Sequence, residues 1–271
     1  MRCKNYKQAF TIVEVILFLA VTGLLFVALL GGTAASVRNQ RYNDSVATFK
    51  NAMQEQYSLV SNVQNSRDLD QRIICEEKDG AMVPAPNGTA APGMSNCLIY
   101  GRVVEFTNGG YDYRAANVIG LDIKTIESNE LNGKTEKQIF DRVKVSIETA
   151  NGVPVLETKQ LEWGAHLRKP SSEDAAVGGL LILRSPRSGS VWTFNFETAR
   201  DESKNTLVSS LNSSTSTKRD LCVASPDSSA GSVRAVVIGL TGGANSSAVQ
   251  IAPLDATVNG VSPVVCNGNN M

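Results

Sequence analysis

Lys7-Gln8-Ala9-Phe10-Thr11-Ile12-Val13-Glu14-Val15 is the stretch whose reading decides the fold. A basic leader ends in it and an apolar run begins. Arg2, Lys4 and Lys7 lie in the leader, with no acid among the first nine residues. No charged residue follows Glu14 until Arg38, so the 23 residues from Val15 to Val37 are uncharged. A helix needs about 20 such residues to cross a hydrocarbon core. Glu14 is the anomaly. A carboxylate inside a membrane helix costs at least about 2–3 kcal/mol, which marks it as a functional residue in need of a partner. A cut between Ala9 and Phe10 would supply one, because Phe10 would gain a free α-amino group. That cation and Glu14 would stand four residues apart on one helix, or meet between neighbouring subunits. Either pairing lowers the cost of burying the charge.

A secretory signal peptide has an apolar core of about 7–15 residues and a small-residue exit. Thr33-Ala34-Ala35 before Ser36 fits such an exit, but the apolar run is too long for it. Neither a signal peptide nor a plain signal anchor accounts for Glu14. The stretch instead resembles the N-terminal cleavage and methylation signal of type IV pilins and type II secretion pseudopilins. In that family a prepilin peptidase cuts before a Phe and methylates the new amine, with a Thr next and a Glu four residues on. Phe10, Thr11 and Glu14 match that pattern. Gly23 and Gly31-Gly32 fall where many pilin helices carry a helix-weakening residue. The residue before the cut is usually Gly in the family and is Ala9 here. The resemblance covers about residues 4–35. It implies cleavage between Ala9 and Phe10, N-methylation of Phe10, and an assembly role for Glu14. The implied partners are other pilin or pseudopilin subunits, the prepilin peptidase, an inner-membrane assembly platform with its ATPase, and membrane lipid before assembly. A surface or DNA ligand at a filament tip is a further expectation.

The chain has 271 residues, with 26 basic and 26 acidic side chains. Losing residues 1–9 would leave a net charge of about −3. No clustering of Lys and Arg marks a nucleic-acid surface. The basic leader places the N-terminus on the cytoplasmic side and everything after Val37 outside. The expected location is therefore the bacterial cytoplasmic membrane, single-pass with the head outside, and later an extracellular or periplasmic filament. Five cysteines are present, of which Cys3 lies in the leader. Cys75, Cys97, Cys222 and Cys266 remain in a compartment where disulfides form. Their spacing suggests Cys75–Cys97 and Cys222–Cys266, out of three connectivities.

Beyond the apolar run, Tyr42, Val46, Phe49, Met53, Tyr57, Val60 and Val63 recur at spacings of three and four, as one apolar helix face does. Arg38, Gln40, Lys50, Asn51, Gln54 and Glu55 occupy the other face. The pattern predicts one helix from about Thr11 to about Asn65, loosened near Gly31, with a transmembrane segment over residues 12–35. Ala81 to Pro92, with three prolines, is expected as a loop that cannot sustain a ladder. Strands are expected at Leu98–Phe106 and Tyr111–Ile123 around Asn108-Gly109-Gly110. A second hairpin is expected from Lys144–Thr149 and Val153–Trp163 around Asn151-Gly152. Glu127–Arg142 reads as a loop or short helix. Leu180–Leu183, Val191–Phe196, Leu221–Val223, Val233–Leu240, Val249–Ile251 and Val264–Cys266 read as further strands. Leu207, Val208 and Leu211 mark a short helix. The fold class is α+β: a long N-terminal helix followed by a mainly antiparallel β head, as in pilins. The domains are a leader over 1–9, the helix over 10–65 and a head over 66–271, large enough for two packed sheets. Its disulfide-closed end resembles minor pilins and pseudopilins of the GspH-like kind.

The head offers little chemistry. His166 is the only imidazole and sits in a loop-like setting. Asp112, Asp122 and Asp141 are scattered. The glycine pairs lack phosphate-binding fingerprints and read as turns. Asp227-Ser228-Ser229 forms no regular calcium loop. Asn43, Asn87, Asn212 and Asn245 open glycosylation-like triplets that arise by chance in a Ser- and Asn-rich chain. No enzyme and no cofactor is expected. Two function classes stay open: a structural filament subunit (a minor component rather than a major one, given the head size), or a membrane-anchored or secreted β-domain adhesin that never enters a filament.

Overall fold

The computed structural model describes residues 11–62, 73–78, 81–89, 96–126, 131–150, 153–170, 174–196, 218–226, 233–240, 243, 245–252 and 266. The architecture is α+β, a long apolar N-terminal helix followed by antiparallel sheets. Two compact units divide the chain, Met1–Asp44 and Ser45–Met271.

Helix α1 runs over Ile12–Ser61. Gly31 and Gly32 do not break it, contrary to the expected loosening. Each Gly costs only about 1 kcal/mol relative to Ala, and the flanking Leu and Ala residues are good helix formers. Val63 and Asn65, where the helix was expected to end, lie outside the described residues.

In the second unit the apolar stripe of α1 is core. Val46, Met53, Tyr57 and Val60 are fully buried and Phe49 nearly so. Phe49 meets Phe106 and Tyr113, with ring centroids at 6.5 and 6.2 Å. The sheet beneath is built from β3 (Cys97–Thr107), β4 (Asp112–Leu121), β10 (Gly178–Arg184) and β11 (Val191–Phe196), in the order β11-β10-β3-β4. Two short strands, β5 (Ser146–Ile147) and β8 (Glu157–Gln160), both pair with β4. Gly101 faces the Ile182 carbonyl so closely that a Cβ there would collide with it, which is why a glycine follows the register shift in β3. A second cluster, including Tyr100, Val103, Val118, Leu181 and Leu183, packs around Phe140 of the short helix α2 (Glu136–Arg142). Thr135 and Gln138 close a capping box at its start, satisfying two otherwise orphaned amides.

A second sheet has the order β14-β13-β12-β9, from β9 (His166–Arg168), β12 (Lys218–Ala224), β13 (Arg234–Gly239) and β14 (Val249–Ile251). Arg219 ties the two sheets together. It donates to the carbonyls of Phe196 at 3.1 Å and Val177 at 2.8 Å.

Polar contacts then fix where the 45–61 part of α1 lies on the sheets. Arg102 is 7% exposed. Its guanidinium donates to Gln56 Oε1 at 2.7 Å, Asn117 Oδ1 at 2.8 Å and Glu157 Oε2 at 3.1 Å. Asn117 donates onward to Glu148 Oε2 at 2.8 Å. A buried cation is tolerated only when its donors are met, and here α1, β3, β4 and β8 all contribute. Gln54 donates to the Ser246 carbonyl at 3.0 Å, and Tyr57 Oη lies 2.8 Å from Thr193 Oγ1.

Two expectations need correction. Ala81–Thr89 is not a loop but strand β2, paired with β1 (Ile73–Lys78) in a two-stranded ribbon. Pro84 and Pro86 are tolerated because β2 has one strand partner, so a missing amide proton leaves no second ladder broken. The second hairpin also differs. Only β6 (Thr149–Ala150) and β7 (Val153–Pro154) pair across the turn. The rest of both arms, β5 and β8, joins β4 instead, and a 3-10 turn over Glu162–Gly164 ends the segment. The Asn108-Gly109-Gly110 turn is present, with all three residues in the left-handed region. Leu207, Val208 and Leu211 lie outside the described residues, as does the 264–266 strand apart from Cys266.

Candidate functional site

The sequence places the working parts at the start of α1. Ala9 and Phe10, the expected processing residues, lie outside the described residues. Thr11 and Glu14 are described, and they form a capping box. Thr11 Oγ1 accepts from the Glu14 amide at 3.3 Å, while Glu14 Oε2 accepts from the Thr11 amide at 3.2 Å and from its hydroxyl at 3.3 Å. The pair closes amides that a helix start leaves open, and a negative charge in the first turn is favourable to the helix dipole. The Glu14 carboxylate therefore turns back toward the chain's N-terminal end. The Thr-x-x-Glu spacing carried this signal, and reading Glu14 only as an ion-pair partner overlooked it.

Beyond that box the helix surface is apolar. Between Ile12 and Leu30 the exposed large apolar side chains range from 47% exposed at Val15 to 79% at Ile12. Its threonines turn inward to their own helix: Thr22 Oγ1 donates to the Phe18 carbonyl at 2.8 Å and Thr33 Oγ1 to the Leu30 carbonyl at 3.0 Å. A helical stretch with no charge from Val15 to Val37, whose Thr22 and Thr33 hydroxyls close on their own backbone, suits a hydrocarbon surround or a bundle of like helices. α1 is long and apolar enough to cross a membrane, near the N-terminus.

Four of the five cysteines form two disulfides. Cys75 bonds Cys97 with a Cα–Cα distance of 5.1 Å, and Cys222 bonds Cys266 at 5.7 Å. The first joins the β1–β2 ribbon to β3, where Met82 and Ile119 share its cluster. Ser146 donates to the Met82 carbonyl and Lys144 pairs with Glu77, so the ribbon is also held from the β5 side. The second ties β12 to residue 266, near the end of the chain.

His166 opens β9. Arg168 Nε donates to its Nε2 at 2.7 Å, which leaves the proton of the neutral ring on Nδ1. Burial, and then the Arg168 charge, hold its pKa below the usual histidine value. Its ring stacks on Tyr111 at 5.0 Å. Among the described residues no group of three or more His, Cys, Asp or Glu is placed to hold a metal ion. The Arg102 cluster on Gln56, Asn117 and Glu157 was not legible beforehand. Its members come from four elements, and no local spacing links them. In comparisons with known proteins, no family model, no curated protein and no solved structure matches this chain.

Proposed function

We propose that the chain is a structural subunit, a minor pilin or pseudopilin, of a type IV pilus or type II secretion-like filament. A prepilin peptidase would release it before Phe10 and methylate the new amine. The observation that carries this reading is the first half of α1: apolar all round, exposed, and headed by a single carboxylate that turns back onto Thr11. A surface this apolar requires a cover. Lipid would supply it first. Neighbouring helices would replace the lipid once an assembly platform and its ATPase lifted the subunit out of the membrane. Glu14 would then set axial register by meeting the Phe10 amine of an adjacent subunit. The head would face the periplasm or the exterior, and its size suits a low-copy component.

Glu14→Ala separates anchoring from assembly. Membrane fractionation is expected to find the variant inserted as before, and shear-released filaments are expected to lack it. Normal incorporation would overturn the assembly role. A tip-located subunit that also binds a ligand is compatible with this reading, whereas an adhesin that stays in the membrane is the alternative the same fractionation would expose.

A further inference from the structure

Strand β9 is a seam between the two sheets. On one side it pairs with β12, with His166 opposite Ala224 and Arg168 opposite Cys222. On the other, the Leu167 carbonyl accepts from the Ala176 amide at 2.9 Å, and the chain then runs into β10 of the first sheet. Gly110, in the turn between β3 and β4, packs so closely here that a Cβ would strike the Leu167 backbone. Leu167 is fully buried. Successive strand residues point to opposite faces, so His166 and Arg168 share the other face. There Arg168 Nε donates to His166 Nε2 at 2.7 Å, and the ring lies against Tyr111, itself 39% exposed. His166 Nδ1 is buried, with no hydrogen-bond partner among the described residues. An arginine does not give up its proton, so His166 Nε2 can only accept.

We infer that His166 is an acid latch: neutral, it accepts from Arg168 and keeps β9 in the seam, and protonated, it lets the seam open at this end. A second ring proton has no place. On Nε2 it would face the guanidinium donor, and the charge would find no acceptor at Nδ1. Two cations would also stand within hydrogen-bond distance of each other. The groups around the ring do not offset this. β12 presents Cys222, Val223 and Ala224, with Cys222 in a disulfide. The β3–β4 turn presents Tyr111, an uncharged phenol. Beside it, the Asp112 carboxylate accepts from Asn108 Nδ2 at 2.9 Å. The turn before β9 carries Glu162, whose carboxylate accepts from Thr48. After β9, Lys169 adds like charge, and its amide donates to the Asp174 carbonyl at 3.0 Å. Burial, and then the Arg168 charge, hold the His166 pKa below the usual histidine value. As pH falls, an opened ring therefore takes its proton before a latched one. The stability of the seam is complete above the usual histidine value and is lost as pH falls through the folded midpoint. The inference does not depend on filament assembly, because every group it uses lies within residues 45–271.

The test uses the untagged full chain in detergent micelles, where His166 is the only histidine and its ring signals assign themselves. NMR gives the His166 midpoint, and hydrogen exchange gives amide protection factors over the same pH range. The midpoint is expected below 6.5, the usual histidine value. Between that value and the midpoint, protection across β9 and at the Ala176 amide should fall by up to about tenfold per pH unit. The β3–β10 ladder should keep its protection. His166→Gln stays neutral and can still accept from Arg168, so its β9 protection should remain level. Arg168→Gln removes the facing cation, so it should raise the midpoint toward the usual value and shrink the fall. Thermal unfolding above about pH 7 checks that each variant folds, and if His166→Gln does not, Arg168→Gln decides. A midpoint at or above the usual value, or level β9 protection in the wild-type chain, would overturn the inference. So would an unchanged fall in His166→Gln, or a midpoint that Arg168→Gln leaves in place.

Discussion

The two halves of α1 use the same backbone for opposite purposes. From Thr11 to Thr33 every described side-chain hydrogen bond closes on the helix itself: the Thr11–Glu14 box, Thr22 on Phe18 and Leu19, Thr33 on Leu30. From Thr48 to Tyr57 the bonds reach across instead. Thr48 goes to Glu162, Gln54 to Ser246, Gln56 receives Arg102, and Tyr57 meets Thr193. A helix that hides its polar atoms can exchange one apolar surround for another without breaking a bond. A helix that spends its polar atoms on a β head is fixed to it. The contrast explains how one helix can present a wholly apolar surface along one part and organise a β head along another.

Substitutions should break that contrast unequally. Phe49→Ala removes a nearly buried ring from the helix–sheet core and should cost the head about 3–5 kcal/mol, measured by denaturant unfolding. Phe26→Ala is the matched control. Its ring is 64% exposed, so head stability should move by under about 0.5 kcal/mol, while the proposed filament role predicts a fall in filament incorporation. Equal losses from both would erase the distinction.

Arg102→Ala comes next. It strands the buried Gln56 acceptor and unties Asn117 and Glu157, at a cost of about 2–3 kcal/mol. The Glu157 side chain is 59% exposed, so that ion pair contributes the least of the three. Arg102→Lys should recover only part of the loss, since one ammonium cannot serve three directions in a plane.

Tyr57 sharpens the contrast through pH. Burial pushes its pKa up to about 12 from 10.0, with the Thr193 hydrogen bond acting the other way. The unfolded chain ionises first, so the stability this raised pKa supplies is complete below pH 10 and is lost as pH rises through about 12. Tyr113 behaves alike, raised to about 12 by burial and then by Glu55 and Glu157. Tyr57→Phe should cost about 1 kcal/mol at neutral pH and flatten the alkaline limb of the stability curve. An unchanged limb would remove Tyr57 from this role. The smallest effect belongs to Thr11→Ala. It should cost the helix start about 1 kcal/mol, seen as faster amide exchange over residues 12–15 with the head unaffected.

Much of this was legible in the sequence. The uncharged run and the three-and-four stripe are local periodicities, and each half of α1 follows from one of them. The β3–β4 hairpin followed from Asn108-Gly109-Gly110, whose left-handed backbone favours those residues. The β1–β2 ribbon was missed because prolines were weighed without knowing that β2 has one strand partner. The division of residues 144–163 among three pairings was missed because β4 offers both β5 and β8 a longer partner than they offer each other. The capping box was written in Thr11 and Glu14 and needed only the right spacing rule. The Arg102 cluster was beyond reach, since Gln56, Arg102, Asn117 and Glu157 come together only through the packing of four separate elements.

The most direct test of the proposed role is the N-terminus of the mature protein from its native host, read by peptide mass spectrometry. The account predicts a peptide beginning at Phe10 with one added methyl group. A chain beginning at Met1, or at Ser36, would contradict it and leave an anchored or secreted β domain in place of a filament subunit.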